Sequence, residues 1–417
     1  MKILEVLATT LILSILCGCQ IQKVQSVALS PSTSSGSREE TASTVGLPLI
    51  QLSDMNMRTL QSGTNDGAYI IIENYSDSDC SNIMYIDYNA TMCVPLCSQP
   101  NCTHDGDFCT SWIDGIGNTN LFVLNDKLYI IHLATIDAKG NPTPRRIEEM
   151  DLNGQNRHTL FELEANQIFL FSGFVGNADA IYFNVQETDP ITGDNFCYTY
   201  RYCFQDGKLM PIYTCDGVAD FIVGVVDDKI LAKHISWDRT GLSDPSAMEK
   251  QIHELYLLNQ EGKVVEEEVL SWEQWQYRDA CYDSTVYLLD TINGSLTVKN
   301  VKENTEKIIN NDFFRSSNGG TIVSAVDEGA IIAIEPDDMT EYPSYYLYHN
   351  GTVIKSQYSY LGSYDENSKN YIVAQTDTCY LVLRNSRNEQ YSLVAKSDYW
   401  CDHNIETDIK ISLQPMK

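Results

Sequence analysis

The chain has 417 residues and a formal net charge of −29, with 57 acidic residues against 28 lysines and arginines. Most of its surface must repel the phosphate groups of nucleic acids and of anionic lipids, which excludes nucleic acid as a partner. No segment keeps a helical periodicity over several turns, which excludes a helical fold.

Residues 1–18 have the organisation of a bacterial lipoprotein signal peptide. Lys2 precedes an apolar stretch, residues 3–16, which is short for a membrane-spanning helix but typical of a signal-peptide core. The stretch ends in Leu16-Cys17-Gly18-Cys19, which resembles the lipobox, the motif in which small residues precede a cysteine that becomes lipid-modified. The resemblance implies that the mature protein begins at a lipidated Cys19. An ordinary secretory leader, cleaved without lipidation, is the alternative.

Residues 19–45 are predicted to hold the lipidated cysteine and a flexible tether. The stretch from Ser30 to Thr44 is rich in serine, threonine, glycine and proline and has no bulky apolar side chain. Such a segment buries too little surface to offset the entropy lost on ordering. No second change in composition divides residues 46–417, so we expect one large domain there. The lipid would hold this domain at the cell membrane, facing away from the cytoplasm.

A short motif recurs seven times between Asn65 and Tyr380. Each copy is an acidic or amide turn followed by an apolar strand, and successive copies lie about 44 to 60 residues apart. The copies begin at Asn65, Asn125, Ala178, Asp227, Asp283, Asp327 and Thr376. Another strand precedes most copies, and two more follow around turns such as Asn153-Gly154 and Asp206-Gly207. These dipeptides supply the positive φ angles that tight hairpins require.

Four short antiparallel strands per repeat predict an all-β fold, a β-propeller with seven blades of four strands each. Tandem β-sandwiches are the alternative, but they need a linker near the middle of the chain, and the composition shows none. The repeat resembles the blades of TolB-like bacterial propellers. The segment from Pro95 to His104, followed by Cys109, resembles one found in a group of lipoproteins of Gram-positive anaerobes. Neither resemblance implies an activity.

One cluster of residues has the chemistry of a metal site. Cys97, Cys102, His104 and Cys109 offer three thiolates and one imidazole within thirteen residues, a set that suits a closed tetrahedral zinc site. Their spacing is not that of a zinc knuckle, a zinc ribbon or a haem-attachment motif. The alternative is one or two disulfides among these cysteines and Cys93, with His104 in solvent. Four protein ligands leave no open position, so a metal here would be structural.

Two classes of function fit this architecture. We expect a non-catalytic binding or scaffold protein that presents one propeller face to a protein, peptide or glycan. The alternative is an extracellular enzyme acting on polysaccharide through two carboxyl groups in the central channel. The sequence has no nucleophile elbow and no glycine-rich phosphate loop, so we assign no catalytic residue. Connections between second and third strands are predicted to be long in most blades, at residues 73–81, 134–144, 186–195, 236–250 and 335–344. We expect binding on the face that they form. The cluster from Cys97 to Cys109 is expected in the link from the first blade to the second, on this same face.

Overall fold

Seven sheets, each built on four antiparallel strands, stand around a central channel, which confirms the predicted seven-bladed propeller. The computed structural model describes residues 46–411 apart from 75–79, 115–118, 134, 137–141, 216–218, 238–250, 274–276, 328, 339–340, 358–371, 386–389 and 404–405. The predicted leader (1–18), Cys19 and the tether (19–45) lie outside these residues. None of the described helices is long and apolar enough to cross a membrane.

Blades 2 to 4 follow one another along the chain, and each runs from an inner strand at the channel to an outer strand. Blade 2 consists of Thr119–Leu124, Lys127–His132, Arg146–Asp151 and His158–Glu162, with the short pair Thr135–Ile136 and Pro142–Thr143 in its longest connection. Blade 3 consists of Val175–Gly176, Ala180–Thr188, Asn195–Cys203 and Lys208–Thr214, with Gln167–Phe169 also paired to its second strand. Blade 4 consists of Ala219–Val226, Lys229–Trp237, Gln251–Leu258 and Val264–Glu273.

Blades 5 to 7 repeat the same order and add the short helices of the described chain. Blade 5 consists of Tyr277–Tyr282, Thr285–Asp290, Ser295–Asn300 and Thr305–Asn310, and the 3₁₀ turn Asp312–Phe314 follows it. Blade 6 consists of Gly320–Val326, Gly329–Ile334, Ser344–His349 and Thr352–Lys355. Blade 7 consists of Ile372–Gln375, Cys379–Asn385, Gln390–Ala395 and Glu406–Asp408, with the helix Lys396–Trp400 before its last strand.

The predicted repeat forms the tight turn between the inner and second strands and then the second strand itself. Asn125 and Asp126 show why the turn residues recur, since both have positive φ angles, 52° and 57°. Asp227 and Asp283 take the same conformation in blades 4 and 5. Asparagine and aspartate tolerate this region better than other residues with a side chain, and such turns match the twist of paired strands.

The core consists of seven clusters of buried side chains, one at each interface between neighbouring blades. Second strands are buried on both faces because a blade lies on either side. Gly329–Ile334 is buried at every position, and Lys127–His132 at all but its first. A strand covered on both faces reads as a continuous apolar run, which is why the repeats show little alternation of polar and apolar residues.

Blade 1 joins the two ends of the described chain. Its second and third strands are Gly67–Asn74 and Cys80–Asp87, and its outer strand is split into Met92–Pro95 and Trp112–Asp114. The strand Lys410–Ile411 crosses from blade 7 and pairs in parallel with Met92 and Cys93. The last described strand therefore ties blade 7 to the outside of blade 1.

Residues 50–62 form a hairpin that stands in the central channel, a feature that the sequence analysis did not foresee. Ile50–Gln51 pairs with Val175–Gly176 of blade 3, and the chain reverses at residues 54–58. Ser53 then pairs with Thr59, and the Leu60 amide donates to the Leu52 carbonyl over 2.9 Å. The returning arm supplies the inner edge of blade 1, where Gly63 pairs with Ala68.

The channel hairpin, residues 50–62, forms hydrogen bonds with the inner part of each of the other six blades. Two contacts are bonds between backbone groups: Val123 N to Gln61 O over 2.6 Å and Leu52 N to Phe174 O over 2.8 Å. Side chains make the rest: Gln51 Nε2 to Val223 O, Asp283 N to Gln51 Oε1, Arg58 Nη1 to Val323 O and Ser62 Oγ to Val373 O. The hairpin therefore satisfies backbone groups that a channel filled only by apolar side chains would leave without partners.

The two faces of the propeller carry different connections between strands. The turns between inner and second strands, such as 125–126 and 227–228, lie on what we call the tight-turn face. The connections between second and third strands, such as 189–194 and 291–294, lie on the opposite, loop face. Four of the long connections predicted from sequence include residues outside the described ranges: 75–79 in blade 1, 134 and 137–141 in blade 2, 238–250 in blade 4 and 339–340 in blade 6.

Candidate functional sites

The predicted metal ligands lie in an insertion that interrupts the outer strand of blade 1. Leu96 N donates to Ile83 O over 2.9 Å before the insertion, and Ile83 N donates to Ser111 O over 2.7 Å after it. One residue of the third strand thus holds both ends of residues 97–110. The sequence analysis placed this segment in the link to blade 2, but the pairing of Trp112–Asp114 with Cys80–Asn82 shows that the outer strand resumes after it.

The insertion brings all four predicted ligands together. One potential ligand atom from each of Cys97, Cys102, His104 and Cys109 lies within 4.8 Å of the other three. His104 Nδ1 is 3.3 Å from Cys109 Sγ. His104 has a φ of 61° and Asn101 one of 59°, so the backbone adopts two left-handed residues to close the loop. These four side chains could hold one metal ion.

Polar neighbours fix the orientation of the cluster. Asn82, which is buried, donates through Nδ2 to His104 O over 3.1 Å and to Ser111 Oγ over 3.2 Å. Ser111 Oγ also lies 3.0 Å from Cys109 Sγ. Such outer contacts hold a ligand side chain in place before a metal binds.

The pKa values of the residues in the cluster are shifted in different directions. Burial raises the pKa of Cys109 to about 11. Burial acts the same way on Cys97, but hydrogen bonds from the Gln99 amide and from the Cys109 and Cys102 thiols outweigh it and lower the pKa of Cys97. Burial lowers the pKa of His104, which favours the neutral imidazole that a metal requires.

The disulfide alternative included Cys93, and the structure separates that residue from the other three. Cys93 is fully buried in the core between blades 7 and 1, whereas Cys97, Cys102 and Cys109 converge with His104. Cys97, Cys102 and Cys109 are free thiols. A single disulfide would use two of the three converging sulfurs and leave the third beside an imidazole.

The alternative function, an enzyme acting on polysaccharide, requires a pair of catalytic carboxyl groups in the central channel. Among the described parts of the inner strands and the channel hairpin, the carboxylates are Asp54, Asp220 and Asp279. Asp54 Oδ2 accepts from Arg58 Nε over 2.6 Å, and Asp220 Oδ1 lies 2.5 Å from His234 Nδ1. Asp279 Oδ2 accepts from Lys233 Nζ over 2.8 Å. Each of these three carboxylates therefore has a basic partner within hydrogen-bond distance.

The buried pair of Lys233 and Asp279 predicts an acid-dependent contribution to stability. Burial opposes ionisation of Asp279, but the Lys233 ammonium outweighs it and holds the pKa of Asp279 below its ordinary 3.8. Because the folded pKa is the lower one, this stability is complete above the unfolded pKa and is lost as pH falls through the folded value. Asp279→Asn should therefore cost about 3–5 kcal/mol near neutral pH, since it leaves Lys233 buried without a counter-charge.

Urea denaturation of wild type and Asp279→Asn across a pH series measures this effect. The difference between them should narrow as pH falls below 3.8. Asp312→Asn, at a carboxylate that is 91% exposed, is the matched control and should change stability little at any pH. A gap between wild type and Asp279→Asn that stays constant with pH would contradict the assignment.

Comparison with known proteins shows similarity of fold alone. No protein-family model matches the chain, and no curated protein matches its sequence. Among solved structures, the β-propeller domain of the Trilobed protease from Pyrococcus furiosus matches with 16% identity and a TM-score of 0.43, over 70% of this chain and 80% of that one. TolB from Acinetobacter baumannii matches with 11% identity and a TM-score of 0.34, over 70% and 66%. An oligogalacturonate lyase in complex with manganese matches with 11% identity and a TM-score of 0.45, over 84% and 92%.

Proposed function

We propose that this protein is a lipid-anchored, extracytoplasmic binding protein that presents the loop face of its propeller to a protein, peptide or glycan. The observation that carries the proposal is where the chain enters the propeller. Gly46 N donates to Asp228 Oδ2 over 3.1 Å, and Leu49 N to Asp227 O over 2.8 Å. Both acceptors belong to a tight turn, so the tether would join the tight-turn face and leave the loop face turned away from the membrane.

The tether has the length that such an arrangement needs. Residues 19–45, if flexible, would have a root-mean-square span of roughly 25–30 Å, comparable with the thickness of a small domain. The short, glycine-containing turns would then face the lipid, where little contact surface is needed. The longer connections would meet partners, because rigid scaffolds place binding residues on such loops.

The first test concerns the anchor. Cys19→Ala should move the protein from the membrane fraction to the soluble fraction, because the resemblance to lipoproteins supplies no attachment other than lipid on Cys19. Fractionation of cells followed by detergent phase separation measures the shift. Cys401→Ser, at an exposed cysteine in the propeller, is the control and should stay with the membrane. A Cys19→Ala protein that fractionates like wild type would contradict the anchor.

The second test concerns the face. A biotin-acceptor peptide is inserted after Ile191 on the loop face of blade 3 or after Asp206 on its tight-turn face, both exposed positions. Streptavidin bound at Ile191 should block capture of ligands on glycan and peptide arrays, and streptavidin at Asp206 should not. The opposite pattern would place binding on the other face. Cleavage of an array glycan by wild type would instead show an enzyme.

We also propose that the cluster of Cys97, Cys102, His104 and Cys109 binds one structural zinc ion. Three sulfurs and an imidazole nitrogen at mutual distances within 4.8 Å suit the tetrahedral geometry of zinc. The ion would close the insertion at the point where Ile83 already holds both ends.

A further inference from the structure

The loop face carries a cavity between blades 5 and 6 whose lining differs from the rest of this acidic surface. Its volume is about 510 Å³, within the range of small-ligand sites. Arg278 lies near the loop-face end of the inner strand of blade 5, and Arg315 lies in the link to blade 6. The chain has only 28 lysines and arginines against 57 acids, so a lining with two guanidinium groups and one carboxylate, that of Asp337, departs from the composition of the chain.

Contacts with neighbouring residues hold the Arg315 side chain at the cavity. Its side chain lies over Gly294, where an added Cβ would come within 2.6 Å of Arg315 Cγ. Arg315 Nε is 3.3 Å from Asn293 O and 3.4 Å from Asp312 Oδ1. These contacts hold the base of the guanidinium, and the side chain remains 62% exposed. A carboxylate that docks against its outer edge would gain charge-assisted hydrogen bonds.

Hydrogen bonds join the link that follows Arg315 to the connection of blade 6 that carries Asp337, and these two segments form a wall of the cavity. Ser317 donates to Asp337 Oδ1 through its amide, over 2.9 Å, and through its hydroxyl, over 2.7 Å. Ser316 Oγ donates to Glu335 O, and Asn318 Nδ2 donates to Pro336 O over 2.6 Å. The two bonds from Ser317 lower the pKa of Asp337, so this carboxylate stays charged and remains an acceptor. A wall fixed in advance loses little entropy when a ligand binds.

We propose that this cavity binds an acidic sugar, a carbohydrate unit with one carboxylate and several hydroxyl groups. Arg278 and Arg315 would take the carboxylate. Asp337 would accept hydrogen bonds from the sugar hydroxyls, and the Thr291 hydroxyl would exchange hydrogen bonds with them. Ile292, which is 54% exposed, would contact an apolar face of the ring. An acidic peptide fits less well, because its repeated carboxylates would meet Asp337 and the surrounding negative surface.

This inference rests on the proposed function, since it names a ligand for the loop face. The test uses the full chain in detergent and titrates it, by calorimetry, with a glucuronate-containing tetrasaccharide and with the methyl ester of the same tetrasaccharide. The acid form should bind and the ester should bind on the order of tenfold more weakly or not at all, because esterification removes the charge that the arginines recognise. Equal binding of both forms would overturn the proposal.

Variants separate the cavity from general charge effects. Arg278→Ala and Arg315→Ala should each weaken binding on the order of tenfold, and Arg315→Lys should restore only part of it, because lysine cannot make a bidentate contact. Lys208→Ala removes one positive charge on the tight-turn face and should leave binding unchanged. A poly-glutamate peptide that binds as tightly as the sugar would overturn the assignment to a carbohydrate.

The two proposals fail in different ways. If streptavidin at Ile191 blocks array ligands but neither arginine variant changes the binding of any acidic sugar, the loop face is correct and this cavity is not the site. If arginine-dependent binding of the sugar is seen and Cys19→Ala does not alter fractionation, the ligand is correct and the anchored function is not.

Discussion

Leu52→Ala is expected to destabilise the propeller by about 2–5 kcal/mol, the largest effect that we predict for a single truncated side chain. Leu52 is completely buried in the cluster between blades 2 and 3, on the first arm of the channel hairpin. Its removal leaves a cavity at the axis, where the inner strands are already tied to the hairpin and have little freedom to close in. Urea denaturation followed by tryptophan fluorescence measures the change.

Ile50→Ala provides the matched control, because Ile50 stands on the same arm but is 42% exposed. Ile50→Ala should lower the free energy of unfolding by no more than about 1 kcal/mol.

Truncation of the chain tests the contribution of the whole hairpin. A chain that begins at Gly46 should keep the stability of the mature protein, whereas a chain that begins at Thr64 lacks the inner edge of blade 1 and should not fold. Equal stabilities for Leu52→Ala and Ile50→Ala, or a folded chain from Thr64, would show that the hairpin is an accessory.

The blades could be predicted from the sequence, but the channel hairpin could not. The repeats were visible because each blade needs the same tight turn, and Asn125, Asp227 and Asp283 reveal it by their tolerance of positive φ. The channel hairpin occurs once and makes its contacts through single side chains such as Gln51 and Ser62. Polar residues at those positions look like ordinary loop residues. Only the distances in the folded chain show that the side chains of the hairpin reach blades 4, 5, 6 and 7.

The sequence predicts which residues form the cysteine cluster, but it does not predict where the cluster lies in the fold. Ligand types and spacing were enough to select Cys97, Cys102, His104 and Cys109, because few other reasons bring these residues together. Their place in the fold depends on Ile83, an ordinary apolar residue whose amide and carbonyl bond to the two ends of the insertion. A sequence pattern cannot show that a strand is interrupted and resumed. The cluster was predicted to lie in the link to blade 2, on the loop face. It lies instead within the outer strand of blade 1.

Purified protein is expected to contain about one zinc ion per chain, and Cys102→Ser and His104→Ala should each lose it. Both variants remove one of four ligands from a site that has no solvent position to compensate. His104→Cys should retain zinc, because four thiolates also form a closed tetrahedral site. Cys401→Ser, at an exposed cysteine outside the cluster, should keep the full metal content. Elemental analysis of wild type and the four variants decides between these outcomes.

Loss of the metal should release the insertion without unfolding the propeller. The insertion buries little apolar surface of its own, and the hydrogen bonds of Ile83 hold only its ends. Phe108 in this segment is 60% exposed, so chymotrypsin should cleave after it once chelation or Cys102→Ser frees the backbone. The zinc-bound protein should resist cleavage after Phe108. The urea concentration at the midpoint of unfolding should differ little between the zinc-bound protein and the cleaved form.

Mass spectrometry of the intact protein separates zinc from the disulfide alternative. Zinc binding leaves Cys97, Cys102 and Cys109 as thiols that react with alkylating agents after chelation, whereas disulfides require a reductant first. A protein with disulfides among these three cysteines and no metal would show that oxidation closes the insertion. In that case His104→Ala should leave protease resistance at Phe108 intact, because an imidazole contributes nothing to a disulfide. If zinc is the link, the same variant should be cleaved as readily as Cys102→Ser.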